Sequence, residues 1–455
     1  MKLHLLTTVI GIALLWTATS SYAQNTENKF LEIQEVESTS KIKAWLVEDH
    51  SIPVIALEFS FLGAGSKTNP LDKQGLAQLA SNTMDEGAGD LTSQDFQKAL
   101  TDNSITLRFS SNRDNFGGQV RTLTRHKDKA FDLLKLALTK PRFDDEPVER
   151  MRASNKSRLK SSLSNPQWMA ARIQNAKIFE GHPYALNSGG TLTTLDNITN
   201  EDLRAFHRTL GKNQLIVSVA GDITADELRT LLDHVFSEIP DTKVTTHEHF
   251  ELRNSGETYI YKQDIPQTII SMTQKGITHQ DPDYHTAKVM NFILGESGFG
   301  SRLMEEIREK RGLTYGIYSY FRGYKEMDAL YVSTSTVNDK VAEILKITHE
   351  QWDKIQKHPV SEQEINDAKS YLIGSLPLSL TSTVSIAKLL QSMQNNGLPI
   401  DYLDKRSEKI KKVTKSDIQR VAKKLLDKSS FTTILVGNPQ GMKNAEIISK
   451  LPNVE

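Results

Sequence analysis

The sequence predicts a duplicated α+β protein, because one helix–strand unit occurs twice and strand pairs alternate with helices along the chain. The first copy begins at Thr199, three residues before Asp202, and the second begins at Thr414, three residues before Asp417. Each copy runs into an apolar strand that ends at a glycine, 22 residues after the threonine in one copy and 23 in the other. The copies lie 215 residues apart in a chain of 455, so the spacing indicates two related domains.

Composition excludes several functional classes. Lys+Arg and Asp+Glu are both 56, so no net charge draws the chain to nucleic acid or to an anionic membrane. The absence of cysteine excludes disulfides, thiolate metal ligands and thiol nucleophiles. We therefore expect partners that are recognised locally, and no nucleic acid among them.

The N-terminus has the pattern of a secretory signal. Lys2 precedes an apolar run from Leu5 to Trp16, and Ala23 ends a small-residue cleavage pattern. The apolar run of 12 residues is shorter than the roughly 20 that span a bilayer. We interpret residues 1–23 as a cleavable signal peptide and expect an exported, periplasmic protein without a membrane anchor after cleavage. An uncleaved anchor is the alternative.

Residues 24–238 form the predicted first domain. Lys41–Val47 and Pro53–Leu62 are predicted strands separated by a polar turn, which is the pattern of a hairpin. The elements that follow are a helix over Ser93–Asn103, strands within Ile105–Leu123, a helix over Lys127–Thr139 and a basic helix within Phe143–Pro166.

Residues 239–254 are the predicted linker, since this segment is polar, contains Pro240 and lacks periodicity. It includes His247-Glu248-His249. A metal site needs three or four ligands, so we interpret this triplet as part of the linker.

Residues 255–455 form the predicted second domain. Its predicted strands are Thr258–Lys262 and Gln267–Thr273, and its predicted helices are Tyr284–Leu294 ending at Gly295, a helix from Ser301 to Gly312, Val360–Ile373 and Thr383–Gln394. The loop Gly295–Gly300 is glycine-rich. Because a helix precedes it and no βαβ unit surrounds it, it is not a dinucleotide fingerprint.

One predicted helix near Leu76 carries a continuous polar stripe. Apolar residues recur at helical spacing after Leu71, which leaves a second set of residues on the opposite face. The residues of this polar stripe are Gln78, Ser81, Asn82 and Asp85.

The stripe lies in the segment Gly75-Leu76-Ala77-Gln78-Leu79-Ala80-Ser81-Asn82, which resembles the G-L-A-H-x-x-E-H motif of the pitrilysin/insulinase family of inverted-motif zinc peptidases. In this alignment Gln78 and Asn82 occupy the positions of the ligand histidines. Ser81 occupies the position of the general-base glutamate. The family's third ligand is a glutamate 76 residues after the second histidine and eight before a proline, and both counts from Asn82 and Pro166 reach Arg158. The resemblance therefore implies that this chain holds no zinc and no other cofactor.

Two further segments carry the resemblance. Gly181-His182-Pro183-Tyr184 matches a family loop, in which we interpret His182 as a loop residue rather than a ligand. In Ser301–Tyr320, Arg308 and Tyr315 match the arginine–tyrosine pair that the family's C-terminal halves direct at the zinc site of the facing half. The loop Gly295–Gly300 corresponds to a longer loop tied to substrate handling in the alpha subunit of mitochondrial processing peptidase; a plain connector is the alternative.

The resemblance implies two homologous α+β domains, each a mainly antiparallel sheet with helices packed on one face, which form a clamshell over a chamber. For function it favours a non-catalytic subunit of a two-chain exported zinc metallopeptidase. This chain would supply Arg308, Tyr315 and a chamber wall, and a zinc-bearing paralogous partner would cleave the peptide. The alternatives are a peptide-binding pseudopeptidase without cleavage activity and an autonomous metallopeptidase with displaced ligands.

Overall fold

The computed structural model describes residues 29–243, 250–253 and 255–455. The predicted signal peptide and His247-Glu248-His249 lie outside these residues. Within them, no helix has both the length and the apolar character needed to cross a membrane.

Twelve strands in the described residues form two six-stranded sheets. The strands of the first sheet are β1 Gln34–Glu37, β2 Lys43–Glu48, β3 Val54–Leu62, β4 Thr106–Ser111, β5 Asn115–Leu123 and β6 Leu215–Gly221. The strands of the second sheet are β7 Thr258–Lys262, β8 Gln267–Lys275, β9 Ile317–Gly323, β10 Asp328–Val337, β11 Thr432–Gly437 and β12 Glu446–Ile448.

Both halves of the chain contain several helices. Those of the N-terminal half are α1 Leu76–Thr83, α2 Ser93–Asp102, α3 Lys127–Thr139, α4 Asp145–Ser162, α5 Pro166–Ile178, α6 Leu192–Asp196, α7 Asn200–His207 and α8 Ala225–Phe236. Those of the C-terminal half are α9 Tyr284–Asn291, α10 Val341–Lys357, α11 Glu362–Leu378, α12 Thr383–Asn395, α13 Tyr402–Lys411 and α14 Lys415–Leu425.

The strand orders confirm the duplication. The first sheet has the order β1-β2-β6-β3-β5-β4, and the second has β12-β7-β11-β8-β10-β9. Five strands therefore correspond one to one, while the sixth comes from the start of the chain in one half and from its end in the other. Most neighbours are antiparallel, with β2 beside β6 and β7 beside β11 and β12 as the parallel pairs.

The repeated helix start is also confirmed. At both Thr199 and Thr414 the side chain accepts a hydrogen bond from the backbone N–H three residues on, and the aspartate there accepts one from the threonine N–H. Such a capping box satisfies two backbone N–H groups that the first helical turn leaves unpaired.

The prediction of a hairpin from the first two long strands is wrong. β6 lies between β2 and β3, parallel to the former and antiparallel to the latter. The polar turn at Glu48–Ser51 thus connects β2 and β3, which are separated in the sheet by β6. A buried strand from much later in the sequence separates the two, which local spacing cannot reveal.

Helices cover one face of each sheet, as predicted, and in each case the other face carries a single helix from the opposite half. On β3, Ile55, Leu57 and Phe59 face the main core of the N-terminal half. On the opposite face, Ala56 packs with Ile386 and Leu390 of α12.

The exchange is reciprocal, because α5 of the N-terminal half lies on the second sheet. Met169 and Ile173 of α5 pack with Ile269, Ile434 and Val436. Each exchanged helix therefore completes a hydrophobic core on one face of the sheet in the other half.

A glutamine anchors each exchanged helix to the sheet beneath it. The side-chain amide of Gln391 on α12 hydrogen-bonds to the hydroxyl of Ser60 at 2.9 Å. On α5, Gln174 accepts a hydrogen bond from Ser271 Oγ at 3.0 Å and donates one to Thr273. Buried amides of this kind need partners, so these bonds fix the axial position of each helix.

The described end of the predicted linker is packed against both halves. The N–H of Phe250 donates to Glu326 O at 3.1 Å, and that of Arg253 donates to Ile178 O at 3.1 Å. Leu252 joins a small core with Ile178 and Met327. This end of the predicted linker is therefore held in place by backbone hydrogen bonds and apolar packing.

Candidate functional site

Gly75 is the N-cap of α1, the helix that carries the polar stripe, and its backbone has φ +92. A Cβ atom there would lie 2.9 Å from Gly189 O and 3.0 Å from the Cα of Gly190. Only glycine suits both the left-handed backbone and this close approach. The loop at Gly189 thus fixes where α1 starts, and Leu76, Leu79 and their apolar neighbours turn the stripe away from the core.

The residues at the motif positions bond to one another. Gln78 Nε2 lies 3.2 Å from Ser81 Oγ and 3.3 Å from Asn82 Oδ1, and donates to both. Ser81 Oγ donates to the carbonyl of Gln78 at 2.8 Å. The three side chains form a neutral, hydrogen-bonded set on one face of α1.

Arg158 lies on α4, a helix that packs against α1. Its side chain is exposed, and within the described residues its guanidinium forms no hydrogen bond or ion pair. Among the described residues, no hydrogen bond or ion pair joins Arg158 to the stripe on α1. Two amides, a hydroxyl and a guanidinium do not fit Zn²⁺, which binds histidine, cysteine and carboxylate. No group of three or more His, Cys, Asp or Glu within the described chain could hold a metal ion.

Asp85 continues the stripe beyond the motif. Burial raises the pKa of its carboxyl to about 7, and the neighbouring charge of Glu86 adds to the rise, while its own backbone N–H and Arg108 oppose it. A buried carboxyl of this kind destabilises the fold when it ionises.

Arg308 and Tyr315 lie together on the surface of the C-terminal half. The guanidinium carbon of Arg308 is 5.3 Å from the ring centre of Tyr315 and 4.4 Å from that of Phe299. Tyr315 is 88% exposed and Phe299 is 71% exposed. Within the described residues, the guanidinium and the Tyr315 hydroxyl form no hydrogen bond or ion pair. The two predicted side chains thus lie together, and their polar groups have no hydrogen-bond partner among the described residues.

Two π-helical segments support this cluster. The first spans Phe292–Glu296 and includes Gly295, and the second spans Met304–Glu309 and carries Arg308. The prediction that Gly295 ends the preceding helix is therefore wrong, because the chain continues through it in a wider turn. Gly295 is required there, since a Cβ atom would lie 2.5 Å from Ser319 Oγ. Gly312, with φ +61, follows the second segment, as predicted.

His182 takes part in a buried charge cluster that joins the halves. Its Nε2 lies 2.6 Å from Glu326 Oε2, and its Nδ1 accepts from the Tyr184 N–H at 3.2 Å. Lys67 Nζ lies 3.0 Å from Asp114 Oδ1 and 2.9 Å from Glu326 Oε1. His182 is thus a structural loop residue, as interpreted from the sequence.

Sequence reasoning missed Lys67, Asp114 and Glu326. They lie in three separate loops, and each occurs among ordinary polar residues, so no spacing connects them. The one sequence signal near this cluster is the family loop that contains His182, but nothing in that loop identifies Glu326 as the partner of His182.

The two predicted sites do not meet within this chain. Among the described residues, no hydrogen bond, ion pair or ring contact joins Arg308 or Tyr315 to the stripe on α1 or to Arg158. The arrangement is a duplicated α+β protein with a neutralised motif in one half and an exposed arginine–tyrosine pair in the other.

Comparisons with known proteins agree with this description. Residues 56–191 match the model of the insulinase family, peptidase family M16, and residues 197–372 match the model of the peptidase M16 inactive domain. Together these segments cover most of the chain, and the chain belongs to the M16 family. Its match to the inactive-domain model and its similarity to relatives named as inactive agree in describing an inactive member of that family.

Relatives of similar length include both inactive and active-named proteins. The chain is 26% identical over 444 residues to a protein of Helicobacter pylori described as the non-peptidase homolog YmxG, covering 96% of this chain and 99% of that protein. It is 24% identical over 361 residues to the probable inactive metalloprotease YmfF of Bacillus subtilis, covering 76% and 82%. It is 21% identical over 418 residues to the beta subunit of the mitochondrial-processing peptidase of Saccharomyces cerevisiae, covering 86% and 88%.

Two solved structures share the fold. A peptidase M16 inactive domain from Pseudomonas fluorescens superposes with a TM-score of 0.83 at 24% identity, covering 91% of this chain and 100% of that one. A protease from Helicobacter pylori superposes with a TM-score of 0.81 at 17% identity, covering 89% and 99%.

Proposed function

We propose that this chain is the non-catalytic subunit of an exported two-chain zinc metallopeptidase. A paralogous partner carries the zinc and hydrolyses the peptide. This chain supplies Arg308, Tyr315 and one wall of the chamber, and it holds no metal itself.

The observation that carries this proposal is the exposed, unused arginine–tyrosine pair. Tyr315 is 88% exposed and its ring contacts the Arg308 guanidinium, so the Tyr315 hydroxyl and the guanidinium can both contact a second protein or a bound peptide. A purely structural arginine at a helix end would normally bond to a carboxylate or to backbone carbonyls. Here the guanidinium contacts two rings, which leaves its N–H donors free for a group outside this chain.

The chemistry that suits such donors is stabilisation of an oxyanion. In the partner, a zinc-bound water supplies the nucleophile. As the peptide carbonyl is attacked, its oxygen gains negative charge, and donors that already point at it lower the barrier. Contacts with the rings of Phe299 and Tyr315 limit the motion of the Arg308 guanidinium, which lowers the entropy lost when it binds a group outside this chain.

The test is affinity capture of the tagged chain from its native host. We expect a zinc-containing protein of similar size to co-purify, and the pair to cleave an unstructured peptide that neither chain cleaves alone. Recovery of the chain without any such protein, under conditions that preserve known complexes of the same extract, would contradict the proposal.

A peptide-binding pseudopeptidase is the second candidate, and the observation that favours it is a polar cavity of about 800 Å³ between the two halves. Under this reading the chain would hold peptides without a cleaving partner. Peptide binding by the purified chain, combined with the absence of a zinc-containing partner, would support it over the first proposal.

A further inference from the structure

The cavity between the halves is separate from both predicted sites. Its walls come from the β4–β5 turn at Ser111–Asn115, the β9–β10 turn at Arg322–Asp328, the segment Thr278–Gln280 and the C-terminal turns of α12. No motif residue of α1 lines it, and neither does Arg308 or Tyr315. A volume of about 800 Å³ is in the range of sites that hold small ligands or short peptide segments.

Two of the carboxylates in its wall already have hydrogen-bond and ion-pair partners inside the protein. Asp114 accepts from Lys67 Nζ at 3.0 Å, from the Tyr184 hydroxyl, and from the Lys325 N–H at 3.1 Å. Glu326 accepts from Lys67 Nζ at 2.9 Å and lies 2.6 Å from His182 Nε2. Lys67 is only 3% exposed, so its charge is used inside this cluster.

The cations in the wall are not used in this way. The guanidinium carbons of Arg113 and Arg322 lie 5.6 Å and 5.1 Å from the ring centre of Tyr324. Arg113 Nε donates to the carbonyl of Tyr184 at 3.3 Å, and within the described residues neither arginine has a carboxylate partner. The ammonium groups of Lys325 and Lys388 also form no ion pair there. Four cationic groups thus border the cavity without a carboxylate partner among the described residues.

Two further acids line the cavity. Burial raises the pKa of Glu58 to about 7, with Lys388 opposing the rise, so near neutral pH this carboxyl carries only part of its charge. The other is Asp328, which is partly buried at the base of the β9–β10 turn and has interactions of its own. The remaining wall is rich in side-chain amides, which both donate and accept hydrogen bonds. One amide pair crosses between the halves, from Asn115 Nδ2 to Asn395 Oδ1 at 3.2 Å.

We propose that this cavity binds peptide carboxylates, with Arg113 and Arg322 as the anion-binding groups and the amide walls as partners of the peptide backbone. Guanidinium groups bind carboxylates through paired N–H donors, and the contact of each arginine with the Tyr324 ring limits the motion of its side chain. Because the carboxylates come either from acidic side chains or from a free C-terminus, the experiment separates these sources.

The experiment is calorimetric titration of the purified full chain with short peptides at low and high ionic strength. The probes are tetraglutamate and tetraglutamine, each with a free C-terminus and as the C-terminal amide. We expect both tetraglutamates to bind and the affinity to fall with salt. If tetraglutamine acid also binds, the terminal carboxylate is sufficient; if it does not, acidic side chains are required.

Arg322→Gln should weaken binding about tenfold or more, since a charge-assisted hydrogen bond contributes about 1.5–3 kcal/mol. Lys388→Gln is a second variant on another element. Arg125→Gln, an exposed arginine outside the cavity, is the matched control and should bind like the wild type. Circular dichroism checks that each variant is folded.

The proposal is overturned if tetraglutamine amide binds as well as tetraglutamate, or if the cavity variants bind like the control. Equal displacement of tetraglutamate by inorganic phosphate at the same concentration would reduce the site to general anion attraction and would overturn it too. Because binding is measured on this chain alone, its failure is independent of whether a zinc-bearing partner exists.

Discussion

The ammonium group of Lys67 lies 2.9 Å from Glu326 Oε1, and this pair joins the two halves of the protein through a buried contact. The side chains are 3% and 5% exposed. Removing one partner of a buried pair leaves an uncompensated charge, which typically costs about 3–5 kcal/mol.

We therefore expect Lys67→Met to lower the free energy of unfolding by about that amount. Lys98→Met is the matched control, because Lys98 pairs with Asp102 on an exposed helix surface where such a pair contributes about 0–1 kcal/mol. Urea denaturation of both variants measures the difference. Equal stability of the two would show that the buried cluster contributes nothing to the contact between halves.

The second prediction is that Arg308→Ala and Tyr315→Phe leave the chain folded and able to associate but slow peptide cleavage by the complex. Loss of one oxyanion donor typically costs about 3 kcal/mol, or 10²- to 10³-fold in turnover. Tyr318→Phe, on the neighbouring strand, is the control and should retain normal rates. The measurement combines each variant with the wild-type zinc partner and follows association and cleavage separately. Normal cleavage by both site variants at normal assembly would mean that the pair has no role in the reaction.

The third prediction is that the purified chain binds no stoichiometric zinc. The side chains at the motif positions are poor ligands, and Gln78, Ser81 and Asn82 hydrogen-bond to one another. Elemental analysis after dialysis should find far less than one metal ion per chain. A tightly held ion would contradict this, and the segment His247-Glu248-His249 would then be the first place to change.

The fourth prediction concerns restoration of the motif. Gln78→His with Asn82→His provides two ligands but neither a base at Ser81 nor a third ligand at Arg158. We expect zinc binding only when Ser81→Glu and Arg158→Glu are added, because a catalytic zinc site needs three protein ligands and a base. Titration with zinc against a chelating dye compares the two variants. Tight binding by the two-histidine variant would show that Arg158 does not occupy the third-ligand position.

The fifth prediction follows from Asp85, whose pKa burial raises from 3.8 to about 7. Between these values the folded state holds a proton that the unfolded state has lost, so stability falls as pH rises through this range. Asp85→Asn should remove that fall, which is on the order of 2–4 kcal/mol. Denaturant unfolding at several pH values tests this, with the exposed Asp102→Asn as the control. A wild-type-like pH profile in Asp85→Asn would contradict the assignment.

Helices and strands whose hydrophobic periodicity and capping residues lie within one short segment are predicted well from the sequence. The helix Lys127–Thr139 and the strand Thr258–Lys262 have the predicted bounds, and both repeated capping boxes form. The sequence analysis predicts no helix at α10, although Ile344, Trp352 and other buried residues recur along it at helical spacing.

What could not be predicted depends on contacts between distant segments. The position of β6 between two earlier strands and the exchange of helices between halves are set by tertiary packing. The same holds for the site: Arg308 and Tyr315 follow from a family resemblance, whereas the cluster around Lys67 unites loops that share no sequence signal.

The exchange of α5 and α12 also constrains the order in which the protein folds. The first sheet is complete in its strands by Gly221, yet one of its faces is covered by a helix that begins at Thr383. During synthesis more than a hundred further residues must therefore be added before the core between the first sheet and α12 can form. Until then Ala56 and its apolar neighbours lack their cover. A nascent or truncated chain that stops before α12 is thus a natural substrate for chaperones.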